Sequence, residues 1–310
     1  MFKYLLHHLE LQDFNILNSF KVFLMDCDGV IWKGSESIPR VVDAINYMKV
    51  RGKKFYYISN DCINTREDYV EKLNSFGINA NLNEVITSAS ATANYLQSSK
   101  LNKKPYIIGE KGILRELEKI GISYYSPEII QSENKDKMLN ELKNDIGSVI
   151  LEIDSTQNIY NNTNNNNLTQ YLSMKNQKNQ YINPFIVTCG SNTMSSMNNI
   201  NSNKDSLLSM IQTTTLRSPD IVIGKSSNYI LQMVKQDAGC EMRDIIMVGD
   251  SLQTDVLFAK NNHIPSICVL SGVTKEETLS ELTDQQEIYK PEYYAEDFAT
   301  VGDIIMWKYK

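Results

Sequence analysis

An α/β fold built on a parallel sheet, with a second and smaller α/β unit inserted into it, is what the sequence predicts. Three observations carry that expectation. Short apolar runs alternate with helical patterns near the start of the chain. The same alternation returns in the last third, and the stretch between them behaves differently.

Residues 1–20 mix Leu with His, Glu, Gln, Asp and Asn, without the apolar run and small-residue cleavage site of a signal peptide. They read as a short helix or strand packed on the core. Residues 22–25 form an apolar run that ends in Asp26. Residues 40–51 carry Val41, Val42, Ile45 and Met48 at helical spacing and stop at Gly52. A second run, 54–58, ends at Ser59-Asn60. Residues 65–76 read as a helix, with Thr65 and Asp68 as a capping-box variant, Tyr69, Leu73 and Phe76 on one face, and Gly77 behind it. Residues 85–88 give a third run.

In the last third, Ile221–Ile223 precedes a helix over 226–238 that stops at Gly239. Residues 245–248 end at Gly249-Asp250, a helix follows over 254–260, and 266–270 form another strand. The tail, 289–307, reads as a final strand and helix. In the middle, 106–108, 111–120, 122–125, 149–153 and 185–187 form a separate α/β unit. Ten of the 27 residues from Gln157 to Asn183 are Asn, and residues 192–205 are again rich in Asn and Ser, so both stretches read as loops or disordered insertions. Two glycosylation sequons there, Asn161-Asn162-Thr163 and Asn167-Leu168-Thr169, read as chance matches. The expected division is 1–88 for the first part of the core, 89–218 for the inserted unit and 219–310 for the rest of the core.

Composition narrows the function. The 310 residues are 42% hydrophobic, enough for a packed globule, and no apolar stretch reaches the ~18 residues of a membrane helix. The net charge is −6 and no basic cluster stands out, so neither nucleic acid nor an anionic membrane is expected as a partner. Five cysteines are scattered without a CxxC pair, which fits reduced thiols in the cytoplasm better than disulfides or zinc. With only three His residues, His-metal and Ser-His-Asp chemistry is poorly supplied, and the carboxylates come first. One of the three, His263, reads as a solvated ring in a loop after a helix.

The strongest signal is Asp26-Cys27-Asp28-Gly29-Val30, directly after a strand. In an open parallel sheet, ligands bind beyond the carboxyl ends of the strands. Two acids this close repel unless a cation or a shared proton intervenes. Other strand ends add Ser59-Asn60, Lys225, and Gly249-Asp250 with Asp255, which places four acids, a Lys and a Ser at one expected sheet edge. Oxygen ligands in that concentration suit Mg²⁺.

These segments resemble, in order, the four motifs of the haloacid dehalogenase superfamily: Asp26-Cys27-Asp28-Gly29-Val30-Ile31-Trp32, Ser59-Asn60, Gly224-Lys225, and Gly249-Asp250 with Asp255. The branch resembled contains 4-nitrophenyl phosphatase, phosphoglycolate phosphatase, pyridoxal phosphate phosphatase and the NagD phosphatases. The resemblance implies a Rossmann-like core carrying an inserted α/β cap of the type called C2. It implies a Mg²⁺-dependent phosphomonoester hydrolase of small metabolites, with 4-nitrophenyl phosphate as an artificial substrate and 2-phosphoglycolate-like phospho-acids or pyridoxal 5′-phosphate as candidates.

Carried over, the roles are as follows. Asp26 is the nucleophile that becomes an aspartyl-phosphate, and Asp28 is the general acid and base. Mg²⁺ is held by Asp26, the backbone carbonyl of Asp28 and Asp250, with Asp255 one step further out. Ser59, Asn60, Gly29 and Lys225 serve the phosphoryl group, and Lys225 also neutralises charge on Asp26. Capped relatives pair through their caps, so the resemblance also implies a homodimer.

This chain departs from the family pattern at Asp61, which adds negative charge beside a phosphate site. Ser226 stands where the family often has Pro, and Thr188-Cys189-Gly190-Ser191-Asn192 replaces the usual end of a cap strand. Beside hydrolysis stand two other functions: a phosphotransferase or mutase using the same aspartyl-phosphate, and a catalytically weak phosphate-binding protein. Cys27, between the two acids, is either an oxidation-sensitive thiol or an inward-packed small residue. Trp32 belongs to a small flap after the first motif, or simply packs there.

Overall fold

In the computed structural model, residues 6–61, 63–99, 101, 103–127, 129, 145–153, 162–189, 206–225 and 227–307 are described. The chain divides into two compact units. The first comprises residues 1–59, 66–86 and 225–310, the second residues 60–65 and 87–224.

In the first unit, β1 (His7–His8), β2 (Val22–Met25), the small hairpin of β3 (Trp32–Lys33) and β4 (Glu36–Ser37), β5 (Lys54–Ser59) and β6 (Val85–Thr87) come first along the chain. The second unit supplies β7 (Lys104–Ile108), β8 (Ile146–Ile153), β9 (Phe185–Cys189) and β10 (Ile221–Ile223). The chain then returns to the first unit with β11 (Ile245–Gly249), β12 (Ser266–Val269) and β13 (Tyr293–Ala295).

The first unit's sheet has seven strands in the order β1-β13-β12-β11-β2-β5-β6. The pairings from β1 through β5 are all parallel. Strands buried on both faces read as unbroken apolar runs, which is why β2, β5 and β11 were visible in the sequence. Helices α1 (Phe14–Ser19) and α2 (Val41–Val50) and the C-terminal helix Phe298–Trp307 pack one face. There Phe23 stacks on Phe55 with centroids 5.4 Å apart, and Phe298 meets both rings edge-on. Helix α3 (Arg66–Ser75) buries Tyr69 and Leu73, as its spacing predicts. Gly239 ends the helix Tyr229–Ala238 in the left-handed region, at φ 63°. The residues expected as a helix over 254–260 instead begin with a π-helical turn, Leu252–Val256, before Leu257–Asn261. His263 is exposed in the turn that follows.

The second unit has a four-stranded parallel sheet, β10-β9-β8-β7. Two expectations change here. Ile221–Ile223, read as a strand of the first sheet, pairs with β9. A three-residue apolar run carries no mark of its partner, and pairing is decided by distant chain. The Asn-rich stretch, read as loop, contains the helix Asn162–Leu172. Leu168, Tyr171 and Leu172, at i, i+3 and i+4, are fully buried on its inner face. Tyr171 meets Tyr106 edge-on at 5.0 Å, and Arg217 donates to the carbonyl of Leu172 at the helix end, 2.9 Å away. Asn167 is buried in this helix, so its sequon offers no accessible acceptor. Asn161 of the other sequon, residues 192–205 and Ser226 lie outside the described residues.

Candidate active site

Asp26 follows β2, an interior strand of the seven-stranded sheet between β11 and β5. Its N–H donates to the Val248 carbonyl of β11 at 2.9 Å, and Met25 pairs with Val248 on one side and Tyr57 on the other. The register therefore sets Asp26 beside the end of β11, where Gly249-Asp250 follows, and near the end of β5 at Ser59. The carboxylates of Asp26, Asp250 and Asp255 lie within 4.8 Å of one another, the group among the described residues suited to hold a metal ion.

Lys225 is buried among these acids. Its Nζ donates to Asp26 Oδ1 and, at 2.8 Å, to Asp255 Oδ1. Burial disfavours the ammonium, but Asp255 and Asp26 outweigh it and hold the amine above its ordinary range. Asp255 Oδ2 accepts from the Ser251 N–H at 3.1 Å. Both oxygens of Asp255 are thus engaged, one on the lysine and one on backbone. Gly249 is needed for this packing, because a Cβ there would collide with the Asp255 side chain.

Burial raises the Asp26 carboxyl above the usual carboxylate range. Lys225 opposes the rise, and Asp255 and Asp250 add to it. Asp250 is pushed up to about 6, first by burial and then by Asp255, against the Val273 N–H that donates to it at 2.8 Å. Three carboxylates facing one ammonium form a set that a divalent cation fits.

The backbone makes room for Asp250. Gly29 has φ +77°, and a Cβ at Gly29 or at Gly272 would strike the Asp250 carboxylate. Gly29 was expected among the phosphate-binding residues. Its N–H goes to the Trp32 carbonyl at 2.7 Å, and its own carbonyl accepts from Ser271 Oγ at 2.6 Å. The loop 271–274 went unnoticed in the sequence. It clasps Asp250 through the room left at Gly272, the Val273 N–H, and the Thr274 N–H that donates to the Asp250 carbonyl at 3.1 Å, while Ser271 ties the loop to Gly29. Its one available signal was the Ser-Gly turn after an apolar run.

Asp28 stands outside the three-acid group. Its Oδ1 accepts from Trp32 Nε1 at 2.7 Å. Ser59, buried at the end of β5, shares a 2.8 Å hydrogen bond with the Tyr69 hydroxyl. Asn60 is buried and belongs to the second unit. Asp61 binds its own loop: Oδ1 accepts from the Ile63 N–H at 2.7 Å and Oδ2 from Asn64 Nδ2 at 2.5 Å. Cys27 is buried in the core, and burial and Asp26 push its thiol well up, against thiolate formation.

Residues 23–123 match the family model described as haloacid dehalogenase-like hydrolase, and residues 222–301 match one described as HAD-hydrolase-like. Phosphoglycolate phosphatase 1A, chloroplastic, of Arabidopsis thaliana is 31% identical over 286 residues, covering 90% of this chain and 75% of the relative. The 4-nitrophenylphosphatase of Schizosaccharomyces pombe is 30% identical over 93% of this chain and 95% of its own. A crystal structure of 4-nitrophenylphosphatase from Thermotoga maritima, 21% identical, superposes with a TM-score of 0.73 over 94% of this chain and 99% of that one, which shows the shared fold. The chain belongs to the haloacid dehalogenase superfamily, and within it is a phosphatase. Among the described residues, no helix is long and apolar enough to cross a membrane.

Proposed function

We propose that this chain is a Mg²⁺-dependent phosphomonoester hydrolase of small phosphorylated metabolites that works through an aspartyl-phosphate on Asp26. One observation carries this: the Asp26 carboxylate, just beyond the end of β2, is both ion-paired to a buried lysine and grouped with two further acids.

A carboxylate oxygen of Asp26 attacks phosphorus while the bond to the leaving oxygen breaks and Asp28 gives that oxygen a proton. Asp28, now ionised, takes a proton from water. The water oxygen attacks phosphorus, the bond to Asp26 breaks, and phosphate leaves with Asp26 and Asp28 restored. Lys225 stays protonated and offsets charge on Asp26 and the phosphoryl oxygens. The Ser59 hydroxyl and Asn60 are read as donors to those oxygens. Asp26, Asp250 and the Asp28 carbonyl would hold Mg²⁺, which supplies charge neutralisation for the phosphoryl group when bound. Asp255 serves that site by holding Lys225.

The names of relatives support substrates of the phosphoglycolate and 4-nitrophenyl phosphate kind. We read the second unit as the C2 cap that selects among them, and the resemblance supports a homodimer through that cap. Free Cys27, Cys240 and Cys268 agree with a cytoplasmic setting. The test is phosphate release from 4-nitrophenyl phosphate with and without Mg²⁺. Asp26→Asn is expected to abolish release while the far-ultraviolet circular dichroism stays unchanged. Equal turnover in that variant refutes the mechanism.

A further inference from the structure

The first motif ends in a tryptophan that the mechanism above leaves unused. Trp32 opens the flap hairpin, yet its side chain is 1% exposed. One face of α3 braces the indole: Lys72 Nζ lies 4.1 Å from a ring centroid, Tyr69 packs at 6.0 Å, and Phe76, just beyond the helix, packs at 5.9 Å. The backbone is tied as well, since the Gly29 N–H donates to the Trp32 carbonyl at 2.7 Å and the Trp32 N–H to the Cys27 carbonyl at 3.3 Å. From this fixed ring, Nε1–H reaches Asp28 Oδ1 at 2.7 Å. Tyr69, in contact with that ring, also bonds Ser59. One helix face therefore braces supports of both the acid–base arm and the phosphate arm of the site.

The chemistry of the donor matters. An indole N–H donates and never accepts, so it can hold a carboxylate without competing for the proton that carboxylate must carry. A hydrogen bond to an ionised partner is short and directional. With Oδ1 so held, Oδ2 has no partner among the described residues and is the oxygen left for proton transfer. We infer that Trp32 is a positioning residue for proton transfer by Asp28: its indole fixes Oδ1 and so directs Oδ2 to the leaving oxygen and then to water. This rests on the phosphatase reading given above.

The experiment compares 4-nitrophenyl phosphate with phenyl phosphate, two aryl esters that differ by the para nitro group. Nitrophenol is acidic enough to leave as its anion, whereas phenol, with a pKa of about 10, depends on a donated proton. In Trp32→Phe, which keeps an aromatic ring and deletes the donor, kcat/KM for phenyl phosphate is expected to fall about tenfold or more. For 4-nitrophenyl phosphate it is expected to fall less than about threefold, since general acid catalysis contributes ~10²–10⁴-fold where it is required. General loosening of the site would lower both alike.

A second measurement needs no turnover and no Trp32 variant. The chain has two tryptophans, Trp32 and Trp307, and Trp307 is exposed, so ¹⁵N-indole spectra contain two assignable N–H signals. The Trp32 signal is expected to be slow to exchange and to move in Asp28→Asn. Equal losses on the two esters in a folded Trp32→Phe protein, or an indole signal indifferent to Asp28→Asn, overturn the inference alone. A wild-type protein inert towards both esters overturns the phosphatase reading, and the inference with it.

Discussion

Removing the cation should make the protein's stability fall as pH rises, and Asp250 contributes a share that can be worked out. In the metal-free chain its carboxyl is lifted from an ordinary 3.8 to about 6 by burial and by Asp255. An acid whose folded pKa is raised binds its proton more tightly folded than unfolded. Its stabilising contribution is complete below the unfolded value and is lost as pH climbs through the folded one. By pH 7 the difference amounts to roughly 3 kcal/mol, at about 1.4 kcal/mol per tenfold change in proton affinity. Asp26, also raised, pulls the same way. Lys225 remains protonated throughout this range and adds no slope. A loss of that size corresponds to a fall in Tm of roughly 5–10 °C for a chain of this order of length. Mg²⁺, which favours the ionised acids, should flatten the slope. The assay is thermal unfolding between about pH 4 and 8, in EDTA and in saturating MgCl₂, for wild type and Asp250→Asn. The expected result is a Tm that falls with pH in EDTA, more steeply in wild type than in the variant. A metal-free wild type whose Tm is flat or rising over that window, or one matched in slope by Asp250→Asn, refutes the electrostatic account of the site.

Gly272→Ala puts a methyl group into the Asp250 carboxylate and should raise the Mg²⁺ concentration that half-saturates activity about 10–100-fold in an otherwise folded protein. Leu168→Ala, at a fully buried position on the helix Asn162–Leu172, should destabilise by about 3 kcal/mol in chemical unfolding, where a loss below about 0.5 kcal/mol would refute the packing of that helix.

Much of the core was legible because its strands are covered on both faces. β2, β5 and β11 have no solvent side, so their runs are continuous and their ends sharp, and acids standing at those ends are conspicuous. What escaped notice depended on chain brought in from elsewhere. Ile221–Ile223 looks like any short strand until β9 is beside it. In the helix Asn162–Leu172, polar composition masked three apolar side chains at the right spacing. The loop that clasps Asp250 does so largely with backbone N–H groups and the lack of a side chain at Gly272, which residue identity does not advertise. For Trp32 the two open readings proved to be one: it lies in the flap and packs, and its packing aims the donor at Asp28.

The charge balance of the pocket explains why its four ionisable groups divide their work as they do. Asp255 is engaged on both oxygens, so its negative charge is committed to fixing Lys225. Lys225 is shared with Asp26, and its single positive charge cannot neutralise both acids. Asp250 has backbone N–H groups but, among the described residues, no salt bridge to a cation. With all groups ionised, three negative charges meet one positive, and the remainder equals the charge of one divalent ion. A monovalent cation would leave the acids still repelling, at a site where burial amplifies repulsion. Lys225 thus makes the pocket a match for one divalent ion, and it does so from the side of Asp26, the residue on which the chemistry is proposed to occur.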